Sequence, residues 1–113
     1  MIIELPFPAK ALWPNGRANH FAKAREVKKH KGWAQTATLE ACQKAPKPVA
    51  PIALHYVVYP KTRHAVDRDN CVSAMKSYQD GIALTLGLND SQFGTPTIEF
   101  GKPGKPGKVE VVL

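Results

Sequence analysis

The amino-acid sequence predicts a single small α+β domain over residues 1–113, with two main helices packed on a mixed β-sheet in the order β-α-β-α-β-β. Three observations predict it. With 113 residues and 43% hydrophobic content, the chain can bury one core but hardly two. A proline-free stretch over residues 18–43 repeats its apolar residues at helical spacing, and residues 52–59 alternate with the period of two that marks a strand.

The elements follow in order. Residues 1–5 form a short β-type run. Pro6, Pro8 and Trp13-Pro14-Asn15-Gly16 continue neither a strand nor a helix, so a loop follows. In the first helix Val27, Ala34, Ala37 and Ala41 mark the expected apolar stripe. Three prolines in residues 45–51 make a stiff connector. Next, Ile52, Leu54, Tyr56 and Val58 alternate with Ala53, His55, Val57 and Tyr59 in the clearest strand, and a basic loop over residues 60–66 leaves it. The second helix is expected from Asn70 to about Leu84, closed by Gly87. Two further strands, near residues 97–100 and 108–113, are expected as a hairpin around the basic tip at residues 101–107.

The net charge of +7 points toward a polyanion, because each lysine or arginine that meets a phosphate releases condensed counterions. The first half of the first helix carries Lys23, Arg25, Lys28, Lys29 and Lys31 against one acid, Glu26, which is either a nucleic-acid surface or a solvated helix face. Residues 1–20 have neither the length and apolarity of a membrane span nor the pattern of a signal peptide, so a soluble, intracellular protein with no membrane partner is expected. The two cysteines, Cys42 and Cys71, lie far apart and read as buried thiols.

The nine acids are unevenly distributed: all four aspartates fall between Asp67 and Asp90, and five glutamates are spread over the rest. Aspartate is a poor helix-interior residue, a good cap and a short-armed ligand for hard cations, so the clustering fits capping or metal binding. Asp67 and Asp69, one residue apart at an expected strand end, would turn to the same side. Two such carboxylates repel unless a cation or proton lies between them, although an N-cap from Asp69 or Asn70 accounts for the pair equally. At about 100° per residue, Asp69, Ser73, Lys76 and Asp80 fall on one helix stripe and Cys71, Met75, Tyr78 and Ile82 nearly opposite. The second set should pack inward. Lys76 with Asp80 has the spacing of an ordinary surface ion pair.

Other site patterns fail on spacing. An EF-hand loop from Asp67 would need glycine at Val72 and glutamate at Tyr78. His20, His30, His55 and His64 form no HExxH or HxH and read as core, surface or phosphate contacts rather than zinc ligands, and residues 101–107 lack the GKS/T ending of a Walker loop; no small-molecule cofactor is expected.

The run Asp67-Arg68-Asp69-Asn70, then Lys76, then Asp80-Gly81, then Asn89-Asp90-Ser91-Gln92 resembles the RusA family of Holliday-junction resolvases. The opening Leu5-Pro6-Phe7-Pro8, with Pro14-Asn15 and Arg17, resembles that family's start. The resemblance implies a cytoplasmic, bacterial or phage-encoded homodimeric endonuclease with a RusA-like fold. It would require Mg²⁺ and make paired, symmetric nicks in four-way DNA junctions. By position, Asp67, Asp69 and Asp90 match the family's metal-binding aspartates, Lys76 its essential helical lysine, and Asp80 a frequent acidic position, with Asn70 in support. The chain departs from the pattern at Asn89, where an acid is often found, and at Cys71, where an aliphatic residue is usual. It also has Ser73 where one branch of the family carries its lysine.

Arg17, Lys23, Arg25, Lys28, Lys29, Lys61, Arg63 and Arg68 are the expected contacts to backbone phosphates, which contribute affinity but no sequence information. The strand over residues 52–59 or the C-terminal hairpin is the expected dimer contact. Two other readings stay open: a non-catalytic nucleic-acid-binding module whose aspartates only cap a helix, and a nuclease acting on flaps or forks.

Overall fold

The computed structural model describes residues 1–14, 19–62 and 67–113, apart from the side chain of Asp90. Along the chain come β1 (Ile2–Pro6), α1 (His20–Lys44), β2 (His55–Tyr59), α2 (Arg68–Ala74), α3 (Lys76–Leu86), β3 (Thr97–Phe100) and β4 (Lys108–Val112). Short 3-10 turns occupy Lys10–Leu12 and Asp90–Gln92. The protein is a small α+β domain with a mixed four-stranded sheet, as the sequence predicts.

The strand order is β1-β4-β2-β3, with β4 antiparallel to both its neighbours and β2 parallel to β3. This corrects the expected C-terminal hairpin, because β2 lies between β3 and β4. Burial supplies the reason. β2 has the most apolar sequence, HYVVY, and belongs inside the sheet, whereas β1 with Glu4 and Pro6 and β3 with Glu99 suit edges. Residues 101–107 therefore cross the end of β2, and the Gly101 N–H donates to the Val58 carbonyl at 2.8 Å and the Gly104 N–H to that of Pro60 at 2.9 Å. The parallel β2–β3 pair requires a long crossover, which α2 and α3 supply. As an interior strand, β2 has no free edge for a dimer contact; the sheet's edges are β1 and β3.

One face of the sheet carries Ile3, Leu5, Tyr56, Val58, Ile98, Val109 and Val111 into the core. On the helices, Cys71, Met75, Tyr78 and Ile82 are wholly buried, as their periodicity predicts. Ile52 joins β2's extension only through an isolated bridge to Phe93, so the strand is shorter than its alternating pattern. Of the two free cysteines, Cys71 is buried and Cys42 half-buried.

α1 starts where the Asn19 side chain accepts the Ala22 N–H at 2.8 Å, and it ends just before Pro46. Its buried residues are His30, Ala34 and Thr38. Val27, expected on the apolar stripe, is instead exposed, because the first turns of the helix extend past the core. α3 lies close against α1 at Gly81, where a Cβ would overlap the Lys31 carbonyl oxygen and come within 2.9 Å of the Ala34 Cβ. Gly87 ends α3 at φ 71°, a conformation glycine adopts without steric cost.

The loop after β1 is tied to both helices. The Tyr78 hydroxyl donates to the Pro6 carbonyl at 2.7 Å, and the Ala9 N–H donates to His30 Nε2 at 3.1 Å. His30 Nδ1–H in turn donates to the Glu26 carbonyl at 2.7 Å, so the ring is neutral with its proton on Nδ1. Glu26 Oε2 is 3.3 Å from Nδ1, but that proton is directed at the carbonyl. Burial holds the imidazole pKa below its ordinary value, with Lys29 adding to the shift and Glu26 opposing it.

Candidate functional site

The second predicted helix begins two residues early and is interrupted. Asp67 is the N-cap of α2, with its side chain accepting the Asn70 N–H at 3.0 Å, and Asp69 sits in the first turn. The capping aspartate is therefore Asp67, not Asp69 or Asn70. Strand alternation does not relate the two carboxylates, because the chain has already turned into a helix at Arg68. Both are exposed, and both lie where a helix dipole favours negative charge.

At Met75 the backbone takes φ −92°, ψ 0°, which separates α2 from α3. The change in ψ from an ordinary helix is about 40°, small enough that the buried face continues through the break. Lys76 opens α3, and its Nζ lies 3.0 Å from Asp80 Oδ1, with side chains 53% and 38% exposed. This is the ordinary i,i+4 pair that the spacing allows, and at such exposure it contributes about 0.3–0.5 kcal/mol.

Tyr56, one of the alternating residues of the expected strand, lies in the same core as the buried face of α2 and α3. Tyr56 is 1% exposed, and its hydroxyl has no hydrogen-bond partner among the described residues. Burial raises its pKa well above the ordinary phenol value, and the charge of Asp80 adds to that, so the hydroxyl stays protonated. The available signal was a hydroxyl at a core position of an alternating strand. Burial also pushes the Cys71 thiol up to about 11, which makes it an inert core residue.

Asp90 opens a 3-10 turn that its neighbours hold shut. The Asn89 Oδ1 accepts the Ser91 N–H at 3.1 Å and also contacts the Ser91 hydroxyl, while Gln92 Oε1 accepts the Asn89 N–H at 3.0 Å. The Gln92 carbonyl accepts the Ile52 N–H at 3.0 Å, which docks the turn at the entry to β2. Asn89, Ser91 and Gln92 thus shape the turn, while the Asp90 side chain lies outside the described atoms. Among the described residues no three His, Cys, Asp or Glu side chains are grouped to hold a metal ion. Asp67 at the N-cap and Asp69 in the first turn place two carboxylates at the start of α2, a donor chemistry that suits a hard divalent cation.

Of the expected phosphate contacts, Lys23, Arg25, Lys28 and Lys29 are exposed on α1, and Arg68 is exposed beside Asp67. Lys29 is also held by Glu26 at 3.7 Å and lies 5.0 Å over the Trp33 ring. Lys61 lies 5.9 Å over Phe7. Arg17 and Arg63 fall outside the described residues. Among the described residues, no helix is long and apolar enough to cross a membrane.

No family model matches the chain. Over 100 residues it is 36% identical to an uncharacterized protein of Xylella fastidiosa (strain Temecula1 / ATCC 700964), a match covering 86% of this chain and 65% of that protein. The chain thus spans less than two thirds of that bacterial relative's length.

Proposed function

We propose that this protein is a Mg²⁺-dependent endodeoxyribonuclease that resolves four-way DNA junctions by paired, symmetric nicks. The observation that carries this reading is the ordered set Asp67, Asp69, Lys76, Asp80 and Asp90. Asp67 and Asp69 are exposed carboxylates in one turn of α2, and Lys76 and Asp80 share one face of α3. The +7 charge, concentrated on α1, supports a polyanionic substrate.

Asp67, Asp69 and Asp90 would hold the cation through oxygen ligands; when bound, it supplies charge neutralisation at the scissile phosphate and a more acidic water. Lys76 places an ammonium at the start of α3, where it offsets negative charge growing on the phosphorane and limits repulsion among the aspartates. Asp80 orients that ammonium through their 3.0 Å contact. The lysines and arginines of α1 hold the DNA backbone, and a two-fold homodimer presents one site to each of the two equivalent strands.

One observation favours the non-catalytic alternative: Asp67 is fully accounted for as a helix cap. Cleavage of a labelled synthetic four-way junction separates the two readings, run beside matched duplex and fork DNA, in Mg²⁺ and in EDTA, with wild type and Asp69→Asn. Metal-dependent paired nicks in the junction, lost in the variant, are expected. Tight binding with no cutting under any condition would return the protein to the class of binding modules. Preferential cutting of the fork would move it to the flap and fork nucleases.

A further inference from the structure

The first turns of α1 present an aromatic ring among cations. Phe21 is 75% exposed and packs edge-on against His20, with ring centroids 5.4 Å apart. Arg25 and Lys28 follow it at i+4 and i+7, on the same helix face. On the adjoining face His20, Lys23, Ala24, Val27, Lys28 and Lys31 line an open concavity with an apolar floor and a basic rim. The acid of this segment, Glu26, is directed at Lys29 and His30, and none of Lys23, Arg25 and Lys28 has an acidic partner among the described residues.

A single exposed apolar side chain is ordinary on a protein surface. Leu39, Val49 and Leu84 are such cases, each well exposed. Phe21 differs because it is a flat ring flanked by cations that nothing in the described chain neutralises. The charge selects a polyanion and disfavours an apolar protein partner. The ring selects within that class, because intact duplex offers phosphates on its outside but keeps its base faces stacked inside. Nucleic acid with an exposed base face offers both, and the open form of a four-way DNA junction ends each arm at the branch point in a base pair with no stacking neighbour on one side.

We propose that Phe21 distinguishes branched from linear DNA by stacking on a base opened at the branch point, while Lys23, Arg25 and Lys28 hold the flanking phosphates. The inference rests on the DNA-binding part of the function proposed above, and not on cleavage.

The test measures binding in EDTA by fluorescence anisotropy, with the full chain as wild type, Phe21→Ala and Phe21→Trp. The probes are a four-way junction with 2-aminopurine at the branch point and a linear duplex of the same sequence. Phe21→Ala should weaken junction binding roughly tenfold and abolish the 2-aminopurine response, leaving duplex affinity unchanged, while Phe21→Trp keeps wild-type behaviour. Unchanged junction affinity in Phe21→Ala, or an equal loss on junction and duplex, would overturn the inference. A parallel cleavage assay in Mg²⁺ keeps the two proposals apart. Cutting that is indifferent to Phe21 overturns this one alone, and Phe21-dependent junction binding without cutting overturns the nuclease reading alone. Wild type that binds neither DNA overturns both.

Discussion

Asp67 accepts the backbone N–H of Asn70 at 3.0 Å, so the first aspartate of the candidate site is also the residue that starts α2. The two roles separate by substitution, because asparagine caps a helix about as well as aspartate but carries no charge. Asp67→Asn should leave stability within about 0.5 kcal/mol of wild type, whereas Asp67→Ala should cost about 1 kcal/mol. Urea denaturation of both variants checks this. If the carboxylate is a ligand, both variants lose junction cleavage by two orders of magnitude or more, roughly as when a charge-stabilising group is removed from an active site. Cleavage that tracks stability, intact in Asp67→Asn, would leave Asp67 a cap only.

Lys76 and Asp80 give a prediction of the opposite kind. Their pair is exposed, so Asp80→Asn should change unfolding free energy by only about 0.3–0.5 kcal/mol, and less at high salt. Lys76→Ala should abolish cleavage while junction affinity, measured in EDTA, falls only slightly. A Lys76→Ala variant that cuts at the wild-type rate would remove this lysine from the mechanism.

Gly81 tests the packing that positions this face. Alanine would gain about 1 kcal/mol of helix propensity, but its Cβ would overlap the Lys31 carbonyl, a backbone atom that moves only with α1. The clash should prevail, for a net loss of about 1–3 kcal/mol. Thermal unfolding of Gly81→Ala measures it, and an unchanged or higher Tm would show that the helices separate at little cost.

His30 predicts a pH dependence. Burial lowers its folded-state pKa below the ordinary imidazole value of 6.5, so between these two values the unfolded chain binds more protons than the folded one. Stability from this residue is complete above pH 6.5 and is lost as pH falls from there toward the folded pKa. Protonation would also break the hydrogen bond from the Ala9 N–H and release the loop after β1. Unfolding free energies at successive pH values below 7.5 should decline for wild type and run flatter for His30→Gln; parallel profiles would place the titration elsewhere.

Much of the candidate site was legible because it rests on local rules. The 3.6-residue period separated Cys71, Met75, Tyr78 and Ile82 from Asp69, Ser73, Lys76 and Asp80, and the structure buries the first set. Gly87 marked the end of α3 for reasons of its own backbone. α2 starts two residues before the expected Asn70 because Asp67, Asp69 and Asn70 are all good caps, and the choice among them depends on how the chain leaves β2. The self-locking of Asn89, Ser91 and Gln92 needed the turn's actual geometry.

By itself, then, the sequence determined the order of helices and strands and the buried face shared by α2 and α3, since periodicity, capping and glycine freedom act within a few residues. Only the tertiary structure decided that β2 lies between β3 and β4 rather than beside a C-terminal hairpin, that Val27 is exposed while His30 is buried, and that Gly81 meets Lys31. Those outcomes depend on contacts between distant segments. They follow from which apolar surfaces bury one another, a competition among whole elements that residues close in sequence do not decide.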